Sequence, residues 1–147
     1  MTARTTGRVR RVVTDRRGGE SAGDFASFNL ADHVGDAPAA VAGNRARLAR
    51  RLGLPASAIV WMDQVHGTRI SRVTRPPGGP VPATDGLVTD RPGLALAVLT
   101  ADCVPLLAAD DRAGVIGAAH AGRVGAVDGI ASSLIGAMTS VGADPER

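Results

Sequence analysis

Three apolar runs, residues 94–99 (LALAVL), 104–109 (VPLLAA) and 114–119 (GVIGAA), dominate the hydropathy pattern of this 147-residue chain. Continuous apolar runs of this length, bounded by turn residues, predict buried strands. The first two flank Thr100-Ala101-Asp102-Cys103, and the third ends at His120. The only cysteine is therefore expected at a bend between two buried strands, with a histidine at the mouth of the next. Polar groups at the ends of core strands are costly unless used, so this stretch is the first place to look for a site.

The rest of the pattern supplies helices at both ends and strands between. Residues 1–10 read as a loose basic lead-in, 11–15 as a short edge strand and 16–24 as a turn-rich loop. Asp36 followed by Pro38 is a helix start, a side-chain cap and then a proline in the first turn. Val41, Leu48 and Leu52 fall on one side of that helix, Arg45, Arg47, Arg50 and Arg51 largely on the other, and Gly53 stops it. Residues 58–63 and 69–74 read as strands, 76–82 as a Pro/Gly surface loop and 85–90 as a further short strand. Val127, Ile130, Leu134, Ile135, Met138 and Val141 recur at helical spacing over 126–141, with Gly142 as the C-terminal cap. No linker or repeat interrupts the chain. The expectation is one domain over residues 1–147, of the α/β (α+β) class.

Composition narrows the classes. Aromatics are 2% of the chain, so its core must be built from Ala, Val, Leu and Ile. All 17 basic residues are arginine and the net charge is +3. These arginines are scattered and not interleaved with aromatics, which argues against a nucleic-acid partner. One cysteine cannot form an internal disulfide and fits a reducing compartment. No apolar run approaches a membrane span, and the arginine-rich N-terminus lacks the apolar segment of a secretory signal. A cytoplasmic protein with no membrane partner is the expectation; the oligomeric state is not legible.

The residues able to carry chemistry are His33, His66, Cys103 and His120, with the carboxylates Asp85 and Asp102. His66 and His120 each follow an apolar segment and precede a glycine closely, in His66-Gly67 and His120-Ala121-Gly122, and glycine permits close approach. A cysteine and two histidines with a fourth position open to water form a recognised catalytic zinc set. The intervals between them exceed those of a structural zinc finger and neither support nor forbid convergence. The plainer readings stand beside this one. A single cysteine between apolar strands is commonly an inert small hydrophobe, and Asp85 and Asp102 can be satisfied by backbone N–H groups in turns.

Five blocks, Asn29-Leu-Ala-Asp-His-Val-Gly-Asp36, Asn44-Arg45, Trp61-Met-Asp-Gln-Val-His-Gly67, Thr100-Ala-Asp-Cys-Val-Pro105 and His120-Ala-Gly122, occur together and in order. In this the chain resembles the YfiH/laccase-domain family, whose members are known as polyphenol oxidases or purine nucleoside phosphorylases. The resemblance implies the fold shared with bacterial cytotoxic-necrotising-factor-type cysteine hydrolases, mixed β-sheets packed between helices. It also implies that the C-terminal part of the family domain is missing from this chain, leaving the fold incomplete. Carried over by position, the metal ligands would be His66, Cys103 and His120, holding zinc, with copper possible at the same site.

What the resemblance implies for activity is phosphorolysis of adenosine, inosine and methylthioadenosine, with deamination of adenosine. Its partners would then be a purine nucleoside and phosphate. Cys103, His66, His120 and Asp102 would be catalytic, Asp102 as proton carrier. Arg45, Arg123, Asn29 and Gln64 would bind phosphate or substrate. Val124 stands where the family commonly carries a basic residue. Two rival readings use the same residues. One is a metal-free hydrolase, of amidase or deamidase type, with Cys103 as nucleophile and His66 or His120 as base. The other is a truncated metal-binding domain without turnover. A four-copper oxidase centre requires many imidazoles, and the sequence has three histidines.

Overall fold

The computed structural model describes residues 1–6 and 9–147, with side chains at residue 1 and from residue 9 onward. The chain divides into two compact units, Met1–Arg4 with Val12–Ala56, and Thr5–Arg11 with Ser57–Arg147. Strands β1 (Thr2–Thr6) and β2 (Val9–Val13) form a two-stranded sheet. The expected lead-in over 1–10 is thus corrected to strand at residues 2–6 and 9–10, while residues 7 and 8 lie outside the described residues.

In the first unit, helix α1 (Pro38–Leu52) begins with proline in its first turn and buries Val41, Leu48 and Ala49. Gly53 ends it in the left-handed conformation, φ 70°, its N–H reaching the carbonyls of Ala49 and Arg50. The expected cap is corrected. Ala37 occupies the N-cap position and contributes no side chain there. Asp36 instead accepts from the Ala37 amide through Oδ1, while its Oδ2 takes the Ser21 hydroxyl at 2.6 Å and Asn29 Nδ2 at 2.9 Å. Asn44 is fully buried. Its Nδ2 faces Ser21 Oγ and the carbonyls of Asn29 and Ser27, and its Oδ1 accepts from the Glu20 amide, so its polar groups are satisfied.

The second unit holds β3 (Ile59–Val60), β4 (Ile70–Arg72), β5 (Gly86–Thr89), β6 (Ala95–Leu96), β7 (Val104–Asp110), β8 (Val115–Ala121), α2 (Arg123–Val127) and α3 (Ile130–Ser140). A four-stranded sheet runs β4-β5-β8-β7, and β3 pairs with β6. Strands β4 and β5 are parallel; β8 is antiparallel to both β5 and β7. Alternate side chains of β5 face opposite sides, as strand geometry requires. Leu87 packs with Val60, Met62 and Val73, whereas Val88 packs with Ala119, Ile130, Leu134 and Met138. A Cβ on Gly117 would lie 2.8 Å from Met138 Sδ and 2.9 Å from Leu134 Cδ1, so the missing side chain lets α3 close on β8. The mixed α/β class expected from the pattern is the one observed.

Three expectations are corrected here. The run 94–99 is half-buried and forms a strand only at Ala95–Leu96. Beyond it the Leu99 amide pairs with the Gln64 side chain instead of a neighbouring strand. The run 104–109 forms β7, but at the sheet edge, leaving Val104 58% and Leu107 37% exposed. The helix over 126–141 is two helices, broken at Gly129 (φ 88°), and Val127 is 83% exposed. Among the described residues no helix is long and apolar enough to cross a membrane.

Asp110, buried at the end of β7, ties the C-terminal turn to the β7–β8 hairpin. It accepts from the amides of Arg112, Ala113 and Asp144 and pairs with Arg147 at 3.1 Å. The Asp144 and Ala113 amides lead in holding its carboxyl below the usual range. A depressed folded value contributes stability above the unfolded value, about pH 4, and loses it as pH falls through the folded one. Asp110→Asn is therefore expected to unfold more readily than wild type at neutral pH, with the difference closing on acidification, as urea titrations between pH 7 and 3 would record.

Candidate metal centre

Sheet topology brings four separated segments to one end. Because β4 and β5 run parallel with Ile70 opposite Gly86, the residues before both strands lie at the same end. Strand β8 finishes there, with Ala119 opposite Gly86, and β7 begins there, with Val104 opposite Ala121. His66 precedes β4, Asp85 immediately precedes β5, Cys103 immediately precedes β7 and His120 is the penultimate residue of β8. The ligand atoms of His66, Cys103 and His120 all lie within 4.8 Å of one another. The two imidazoles meet edge to face, centroids 4.7 Å apart and planes at 80°. Burial is graded, from an exposed His66 through a half-buried Cys103 to a buried His120.

Asp85 lies beneath both histidines and is fully buried. Its Oδ2 accepts from the amides of Val65 (3.2 Å) and Gly67 (2.8 Å), and its Oδ1 from the amide of His66 (2.9 Å). His120 Nδ1 is 3.0 Å from the same Oδ1. Burial pushes the Asp85 carboxyl up, but His120 and the three amides outweigh it and hold the group below its usual value. His66 itself is left-handed, φ 63°, a conformation uncommon for any residue with a side chain.

Two imidazoles and a thiol presented together, with solvent on the His66 side, match the donors of a three-ligand metal site with an open position. Donors of this kind suit zinc and copper alike. Residues 10–147 match the family model described as multi-copper polyphenol oxidoreductase laccase. The chain belongs to that family. It is 58% identical over 136 residues to a purine nucleoside phosphorylase of Mycobacterium tuberculosis, covering 92% of this chain and 54% of that relative. A purine nucleoside phosphorylase of Streptomyces griseus is 53% identical over 148 residues, 99% of this chain and 60% of the relative. Among solved structures, YlmD from Geobacillus stearothermophilus superposes with a TM-score of 0.79 at 43% identity, over 82% of this chain and 47% of that one. Neisseria meningitidis protein NMB0706 superposes at 0.85 with 38% identity, over 94% and 56%. The chain spans about half the length of the curated relatives it matches.

The other candidates of this laccase-family chain are placed as follows. Asp102 is exposed, with Oδ1 3.7 Å from Cys103 Sγ. Burial first, then the Asp102 charge and hydrogen bond, raise the Cys103 thiol above its usual value. The Gln64 amide is engaged both ways with the Leu99 backbone at 2.9 Å, joining the segment that carries His66 to the one that leads to Cys103. Arg123 is exposed at the first position of α2, with exposed Val124 beside it. Asn29 and Arg45 belong to the first unit. There Asn29 holds Asp36, while Arg45 Nε donates to the Leu30 carbonyl and its Nη1 lies 3.0 Å from Asp32. His33 is exposed in that unit, beside Asp32.

Two glycines crowd the His66 turn, Gly122, where the sequence predicts a close approach, and Gly125, where it gives no such sign. A Cβ on Gly122 would lie 2.7 Å from His66 Cδ2, and one on Gly125 would lie 2.6 Å from the Gly67 carbonyl oxygen. The spacing His120-Ala-Gly-Arg-Val-Gly125 therefore lets α2 press against the His66 turn.

Proposed function

We propose that this chain carries the metal centre of a purine nucleoside phosphorylase, binding zinc through His66, Cys103 and His120. The observation that carries the reading is the convergence of two imidazoles and a thiol with one side open, in a chain whose 58%-identical relative bears that enzyme name. The proposed substrates are adenosine, inosine and methylthioadenosine with phosphate, and the proposed second activity is hydrolytic deamination of adenosine. Bound zinc supplies Lewis acidity at the reacting centre. In phosphorolysis a phosphate oxygen bonds to the ribose anomeric carbon while the glycosidic C–N bond breaks, and the base departs with the electron pair and gains a proton. Arg123, exposed three positions after His120, is the guanidinium this reading assigns to the phosphate. Asp102, exposed beside Cys103, is its proton carrier. Gln64 acts in it through the Leu99 segment it holds.

The metal-free hydrolase reading is disfavoured by the thiol's surroundings. A nucleophilic cysteine needs a depressed pKa and an imidazole in hydrogen-bond reach. Cys103 instead faces the Asp102 carboxylate, and burial first and that charge second raise its thiol. The deciding experiment is a nucleoside assay on zinc-quantified protein, with and without phosphate. Free hypoxanthine or adenine that appears only with phosphate and vanishes in Cys103→Ala is the expected result. Bound zinc without product identifies a binding domain without turnover, and an alkylatable Cys103 with neither zinc nor product returns the hydrolase reading.

A further inference from the structure

We infer that Asp85 is the shared positioning residue of this centre, one carboxylate setting both imidazole ligands. The inference rests on reading His66, Cys103 and His120 as metal ligands. A carboxylate only accepts hydrogen bonds, so at 3.0 Å from Asp85 Oδ1 the His120 Nδ1 must be the donor. That fixes the tautomer in which Nε2 carries the free lone pair, the atom left to ligate. On the other ligand Asp85 acts through the main chain. The amides of Val65, His66 and Gly67 all converge on its two oxygens, and this wrap keeps His66 in its left-handed conformation. Backbone amides gathered this way form a nest for an anion, here supplied by the protein itself. The two functions meet in a single atom, since Oδ1 takes both the His66 amide and the His120 ring. With four donors on two oxygens and no exposed surface, Asp85 is wholly committed to them.

Asp85→Asn separates positioning from simple turn stabilisation. If the new NH2 sits at the Oδ2 place it opposes two amides, Val65 and Gly67; at the Oδ1 place it opposes one. The second orientation is preferred, and it points a donor at His120 Nδ1. The His120 proton must then move to Nε2, where it blocks ligation. Nitrogen NMR of the metal-free protein is expected to show His120 protonated on Nδ1 in wild type and on Nε2 in Asp85→Asn. Zinc affinity, measured by chelator competition, is expected to fall about 10–100-fold in Asp85→Asn, the range for second-shell partners of metal-bound histidine. Asp110→Asn removes a comparable amide-binding carboxylate away from the ligands, and is expected to lower stability while leaving zinc affinity within about twofold.

A wild-type His120 protonated on Nε2 overturns the inference, and needs no variant to fold. Zinc affinity in Asp85→Asn within about twofold of wild type overturns it as well, as does equal weakening by Asp85→Asn and Asp110→Asn. Failure of the wild type to bind zinc at all overturns the ligand reading beneath it, a result distinct from the others.

Discussion

Cys103→Ala is expected to abolish zinc binding while leaving the fold in place. The thiol is one of the three proposed ligand atoms, so its loss should weaken zinc by more than the roughly 10–100-fold of an outer-shell change. Its structural share is small. Cys103 lies half-buried at a bend, outside the clusters that pack α3 and β3–β6 onto the sheet, and its one hydrogen bond is a long one to Asp102. Denaturation of the metal-free variant is expected to match wild type within about 1 kcal/mol. Metal content and calorimetric zinc titration would read the first effect, and chemical denaturation the second.

The same residue offers a pH test. With its thiol raised by burial and by Asp102, metal-free Cys103 is expected to alkylate slowly at neutral pH and faster as pH rises past the ordinary thiol range. Asp102→Asn removes the charge and should shift that profile downward. Zinc should suppress the reaction in wild type at every pH where it binds.

The three candidate ligands stand out in the sequence because each is polar chemistry at the end of an apolar segment, a placement that a core tolerates poorly without a purpose. Their convergence does not. It depends on β4 and β5 running parallel and on β8 returning antiparallel between β5 and β7, pairings between residues far apart in the chain. Asp85 illustrates the gap. Satisfaction by backbone N–H groups in a turn was legible and is observed. The turn, however, is that of Val65–Gly67, brought to it only by sheet register, and the contact with His120 has no local signal at all.

Local rules failed where tertiary partners outbid them. Asp36 has the right identity for a cap, but Ala37 takes the N-cap position and Ser21 and Asn29 claim the second oxygen of Asp36. The 126–141 pattern keeps helical spacing across Gly129, and spacing alone carries no mark of the left-handed φ that splits it. The valine at 127 fits the stripe yet lies on the far side of that break, in α2, facing solvent. An edge strand likewise reads as buried when its apolar run is seen without its neighbours, as β7 does.

Alanine at Gly122 and at Gly125 should produce opposite losses. Both glycines press on the His66 turn, but on different atoms. At Gly122 the new methyl meets the His66 ring, 2.7 Å from Cδ2, and that ring is exposed and free to rotate away. Relief is cheap for the fold and ruinous for the ligand set. Metal-free stability is expected to change by no more than about 0.5 kcal/mol, while zinc affinity should fall on the order of 100-fold, comparable with loss of a ligand's orientation. At Gly125 the methyl meets the Gly67 carbonyl oxygen at 2.6 Å, a backbone atom of a residue whose amide donates to Asp85. That contact cannot be relieved by a rotamer. Overpacking of this kind costs about 1–3 kcal/mol, against a helix-propensity gain for alanine of up to about 1 kcal/mol. Gly125→Ala should therefore lower stability by about 1–2 kcal/mol in urea titrations. Chelator competition on the two variants side by side would then distinguish a displaced ligand from a strained scaffold. Should Gly122→Ala bind zinc as wild type does, the exposed His66 ring is not held to the orientation that the centre requires.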